Sequence, residues 1–151
     1  MITILAIGKK HESWITEGLE RYQKRLRTPW DVKWELLPHS QFDGVKARQE
    51  ESGRILSRLG PQDQVILLDE KGRQFDSPSL STSLEESFLH AKSIVFVIGG
   101  AYGVDETIHQ RANLVWSLSK LVFPHQLVRL ILIEQLYRAE QISRNTGYHH
   151  I

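Results

Sequence analysis

Short, β-branched apolar runs that alternate with helix-periodic segments constrain this chain more than any other feature. Residues 2–7 (Ile-Thr-Ile-Leu-Ala-Ile) end at Gly8, residues 65–68 (Val-Ile-Leu-Leu) open into a polar stretch at 69–76 containing Gly72, and residues 94–98 (Ile-Val-Phe-Val-Ile) end at Gly99-Gly100. Each is too short for a helix and rich in strand-forming residues, so each predicts a buried strand. Residues 12–26 instead carry Ile15, Leu19, Tyr22 and Leu26 at helical spacing, with Glu12 and Glu17 ahead of Arg21, Lys24 and Arg25 in the order the helix dipole favours. Val32, Trp34 and Leu36 alternate with Lys33 and Glu35, the pattern of a half-buried strand near a sheet edge. Residues 45–59 read as a charged helix closed by Gly60-Pro61, and Ser77-Pro78 as an N-cap followed by proline at the first helical position. Asp105 is placed to cap a short helix through Ala112, residues 114–118 form a further apolar run, and residues 125–142 form a long helix. Strands alternating with helices predict an α/β fold, a mostly parallel sheet with helices on both faces.

The 151 residues are one domain's worth of sequence, so we expect a single domain over 1–151 with a core that folds without staples. With 19 Lys+Arg against 18 Asp+Glu, the formal charge of +1 leaves nucleic-acid binding to a local patch rather than to the field of the whole molecule. The absence of cysteine excludes disulfides, thiolate zinc sites, iron–sulfur clusters and a cysteine nucleophile. No metal site is expected, because His11-Glu12 lacks the second histidine of a zincin motif and adjacent His149 and His150 cannot easily aim at one ion. The apolar start, with its basic residues after it, is the reverse of a secretory signal, and no run approaches a membrane span, so a cytoplasmic protein is expected.

Open parallel sheets bind ligands at the carboxyl ends of their strands. Three loops stand there: residues 69–72, residues 99–103 (Gly-Gly-Ala-Tyr-Gly) and residues 119–124 (Ser-Lys-Leu-Val-Phe-Pro). The glycine loop matches neither the dinucleotide fingerprint nor a P-loop, and it suits a ligand loop and a plain turn equally. His125 begins the long helix with Arg129 one turn on, where both can face a ligand or simply the surface. Arg138 follows Glu134 by four residues, which favours a solvent-facing ion pair. The tryptophans at 14, 30, 34 and 116 are better explained as core residues than as base-stacking platforms.

The ordered set Ile98-Gly99-Gly100-Ala101-Tyr102-Gly103, Trp116-Ser117-Leu118-Ser119, Pro124-His125, Leu127-Val128-Arg129, Glu134-Gln135-Leu136-Tyr137-Arg138-Ala139 and Tyr148-His149 closely resembles the ribosomal RNA large subunit methyltransferase H family. The resemblance runs from Ile7-Gly8-Lys9 through Leu68-Asp69 to the tail. It implies a SPOUT-type α/β fold with a C-terminal trefoil knot, a homodimer, and S-adenosylmethionine as donor for methylation of N3 of a pseudouridine in 23S rRNA within the assembled 70S ribosome. Carried over by residue, the donor is expected against Leu68, Gly100, Ser119, Lys120, Leu121, Val122, Phe123 and Pro124. His125, Arg129, Arg138, Tyr148 and His149 are the catalytic candidates: either histidine as proton acceptor, the arginines orienting RNA or the developing anion, and Tyr148 placing the base.

Such a transfer needs held geometry and a group to take the imide proton, but no metal. The tail departs from the family's Pro-Tyr-His followed by a basic residue, with Gly147 for the proline and His150 for the basic residue. A non-catalytic ribosome-binding or assembly factor that keeps the fold is the competing reading, and it predicts no affinity for adenosylmethionine. An unrelated small nucleotide hydrolase would need a phosphate cradle or an activated nucleophile, and the sequence offers neither.

Overall fold

The structure is a computed structural model that describes residues 1–90 and 93–150. Strands β1 (Ile2–Ile7), β2 (Val32–Leu37), β3 (Gln64–Arg73), β4 (Ile94–Ile98) and β5 (Leu114–Trp116) alternate with helices α1 (Ser13–Gln23), α2 (Gly44–Leu56), α3 (Ser77–Leu89), α4 (Glu106–Arg111) and α5 (His125–Ser143). The sheet order is β2-β1-β4-β3-β5, and every pairing is parallel. The half-buried alternating strand is β2, at the sheet edge, where one flank has no neighbour to cover it.

Alternate residues of the central strands feed two cores. Ile2, Ile4 and Ala6 point with Phe96 and Ile98 toward Ile15 and Leu19 of α1, Leu80 and Leu84 of α3, and Leu132, Ile133 and Leu136 of α5. Leu5, Ile7, Leu67 and Val97 point the other way, toward Ile55 of α2 and Ile108 of α4. A strand covered on both faces must be apolar at every position, which is why the β4 stretch Ile-Val-Phe-Val-Ile is buried throughout. Trp30 and Trp116 are core residues, whereas Trp14 is 53% exposed.

The structure corrects three local expectations. β3 does not open into a loop after Leu68 but continues to Arg73, with a register irregularity against β5 between those residues. Gly72 permits this: a Cβ there would lie 2.5 Å from the carbonyl oxygen of Val115, so only glycine lets the two backbones meet. The cap of α3 is Asp76 rather than Ser77, its carboxylate accepting the N–H of Ser79 at 2.9 Å. α1 ends at Gln23, and the N–H groups of Arg25 and Leu26 turn back to Tyr22 and Gln23, a tightened last turn that still buries Leu26.

Candidate functional site

A cleft opens at the carboxyl ends of β4 and β5 and beside the middle of β3. Leu68 and Ile98 form its floor, Gly99, Gly100 and Gly103 one rim, and Leu118, Ser119, Leu121, Val122 and Phe123 the other. Asp69 and Glu70 also line it, the Asp69 carboxylate accepting the N–H of Lys71 at 2.8 Å and lying 3.5 Å from His109, and α5 contributes His125 and Val128. The glycine rim is anchored from behind by α2: Arg48 Nε donates to the Tyr102 carbonyl at 2.9 Å, and Ser52 Oγ accepts the N–H of Asp105 at 2.9 Å. A Cβ on Gly100 would stand 2.7 Å from Oε1 of buried Glu51 and 3.1 Å from Ile7, so the backbone occupies space that no side chain could share. Opposite, Ser117 Oγ donates to the Ser119 carbonyl at 2.8 Å, and Ser119 Oγ accepts the N–H of Leu121 at 3.0 Å. These bonds hold the loop outside any ladder, which leaves Leu121 and Val122 69% and 78% exposed.

Six of the eight residues expected to hold a cofactor therefore converge: Leu68, Gly100, Ser119, Leu121, Val122 and Phe123. Lys120 and Pro124 belong to the same loop but are exposed and point off the cleft wall. Apolar walls, free backbone polar groups and two carboxylates suit an adenosine-bearing ligand, the ring between aliphatic side chains and the hydroxyls toward Asp69 or Glu70. No group of three or more metal-ligating side chains occurs among the described residues.

Of the catalytic candidates, only His125 lines this cleft. Burial pushes its imidazole below the usual 6.5, and the charges of Arg129 and His39 act in the same sense. Neutral imidazole is the form that accepts a proton. Arg129 has a different task from the one the resemblance implies. It is fully buried, and its guanidinium donates to the carbonyls of Ile7 (2.9 Å), Gly8 (3.1 Å) and Lys10 (3.0 Å). With no exposed surface it has no face to offer RNA; it clasps the end of β1 to α5.

Arg138, Tyr148 and His149 form a second constellation. Arg138 pairs with Glu134 at 2.6 Å, stacks its guanidinium over the Tyr148 ring at 5.0 Å, and reaches Nδ1 of His149 at 3.1 Å. Tyr148 also meets Tyr137 edge-on at 5.0 Å. The tail reaches this place through Gly147 at φ +81°, a left-handed conformation closed to proline, whose ring fixes φ near −65°. The departure from the family tail thus sets the turn that docks Tyr148. His149 borders a hollow that shares Trp116, Leu118 and Phe123 with the first cleft, so the two constellations are neighbours.

Sequence reasoning missed Glu51 and His39. Glu51 is 3% exposed, and its side chain lies 3.9 Å from the His39 imidazole. The signal was present: Ala47, Glu51 and Ile55 fall on one helical face, and all three are buried.

The family profile described as "Predicted SPOUT methyltransferase" matches residues 1–149. Proteins named ribosomal RNA large subunit methyltransferase H are similar over nearly their whole length. That of Desulfitobacterium hafniense strain DCB-2 is 41% identical over 98% of this chain and 98% of its own. Those of Natranaerobius thermophilus (40%, covering 97% and 98%) and Parabacteroides distasonis (39%, covering 99% and 98%) are comparable.

Proposed function

This chain belongs to the SPOUT methyltransferase family, and from that premise we propose that it methylates ribosomal RNA of the large subunit, with S-adenosylmethionine as donor and N3 of a pseudouridine in 23S rRNA as acceptor. The observation that carries this reading is the cleft itself. Its glycine rim, its apolar walls and its self-bonded 119–124 loop include residues expected from the sequence to hold the donor, which supports this reading.

When bound, the donor supplies a methyl group on a positively charged sulfur. The chain's residues do the rest. The walls seat the adenosine end, and Asp69 and Glu70 present negative charge to a cationic ligand. His125, whose proton affinity burial lowers, takes the proton from the imide nitrogen so that its lone pair becomes nucleophilic. Arg138, Tyr148 and His149, already bonded to one another, orient the RNA at the adjoining hollow.

The near-neutral charge favours the assembled 70S ribosome, in the cytoplasm, over naked RNA, because shape must replace bulk phosphate attraction. Exposed Leu121 and Val122 favour a homodimer that covers them, and the family reading carries with it a trefoil knot near the C-terminus. The test is transfer of labelled methyl from adenosylmethionine to ribosomes from cells lacking this protein, with the label mapped. Label on one 23S pseudouridine is the expected result. Folded protein that binds ribosomes but neither the donor nor label would instead make it an assembly factor.

A further inference from the structure

Glu51 combines burial with an unpaired carboxylate oxygen. Its side chain is 4% exposed, Oε2 accepts the N–H of Ser40 at 2.9 Å, and Oε1, behind Gly100, has no hydrogen-bond partner among the described residues. A buried carboxylate oxygen without a donor is a cost that an apolar residue at this helix position would avoid. The same Oε2 stands 3.9 Å from Nδ1 of His39, and the His39 ring lies 6.1 Å from that of His125 at 66°. Gly8, at φ +117°, leaves the gap that brings His39 in: a Cβ there would fall 3.2 Å from His39 Nε2 and 2.9 Å from Arg129 Nη2. A line of groups thus runs from the buried face of α2, through His39, to the histidine in the cleft wall.

We propose that Glu51 and His39 are a positioning pair for His125: the buried carboxylate anchors His39, and the His39 ring, set edge-on against His125, fixes the direction in which His125 faces the cleft. The proposal rests on His125 being the proton acceptor of the methyl transfer. The balance is simple. As the imide nitrogen's electron pair forms the N–C bond, the C–S bond breaks with its pair left on sulfur, and the imide proton goes to His125. His125 is only half-buried, so the proton leaves it to water directly.

Charge makes the pair testable in sign. His125 is faced by Arg129 on its own helix, His39 after β2, Glu51 on α2 and Glu12 before α1, with Asp69 and Glu70 at the same cleft. Arg129 and His39 lower its proton affinity, whereas Glu12 and Glu51 raise it. His125 should therefore be titrated by side-chain NMR in the full-length protein, in His39→Gln and in Glu51→Gln. The expected result is opposite movement, upward in His39→Gln and downward in Glu51→Gln. The rising limb of the pH profile of methyl transfer should move the same way in each variant.

No movement in either variant, or movement in the same direction, overturns the pair. His39 is at the surface, so His39→Gln carries the test even if Glu51→Gln fails to fold. Opposite shifts without methyl transfer by the unaltered protein would uphold the coupling and remove the catalytic reading. Transfer with an unmoved His125 would do the reverse.

Discussion

The cleft and the tail constellation hold their functional groups by opposite means. In the cleft, position is set by backbone: Gly100 stands where a side chain would meet Glu51, Gly103 turns at φ +74°, and serines hold the 119–124 loop. At the tail, position is set by charged and aromatic side chains: Glu134 on Arg138, Arg138 over Tyr148, and His149 against Arg138. The first kind of site is sensitive to an added side chain at Gly100, where Glu51 and Ile7 crowd the space. The second kind, which is only partly buried, yields gradually to pH, salt and conservative substitution.

That contrast can be broken at several strengths. Gly100→Leu should abolish adenosylmethionine binding in calorimetry while circular dichroism reports an intact α/β fold; retained affinity would move the donor elsewhere. Arg129→Met should leave buried carbonyls of Ile7 and Gly8 unpaired and lower stability by about 3 kcal/mol in urea titration, at 1–3 kcal/mol per orphaned group. A change within a few tenths would mean that water replaces the clasp.

The pH dependence is shallower. Burial, reinforced by Arg129, holds both His11 and His125 below the ordinary 6.5. Below 6.5 the unfolded chain therefore takes up protons that the folded chain refuses. Stability should fall as pH drops through that value, then level beneath the folded-state pKa values, and His125→Gln should flatten the slope in denaturant titrations. Smallest of all, Glu134→Gln should cost only about 0.5 kcal/mol of stability, because its pair with Arg138 is partly exposed. Its effect on methyl transfer to ribosomes should be larger than its effect on melting, since Arg138 loses its fixed direction.

Legibility in the sequence followed the same division. Strands with apolar residues at every position, such as Ile94–Ile98, were plain, because burial on both faces leaves no other composition. The extension of β3 to Arg73 was not, because its polar residues are held by backbone pairing and by the close approach at Gly72. The rule that ligands sit at strand ends pointed to the glycine loop and the 119–124 loop, which line one cleft, whereas residues 69–72 belong to β3. Arg129 illustrates the limit: in sequence an arginine one turn after His125 faces a ligand as readily as the surface, and neither reading anticipates its burial. Only the carbonyls that β1 brings to it decide the matter.

That clasp has a consequence for how the protein is made. The carbonyl of Ile7 accepts from a side chain 122 positions later, so a ribosome delivers the first strand long before the group that completes its end. Until α5 emerges, β1 carries an open polar terminus. The last long helix then closes the first strand in a single contact of very long range, and chains stopped short of residue 129 lack the latch altogether.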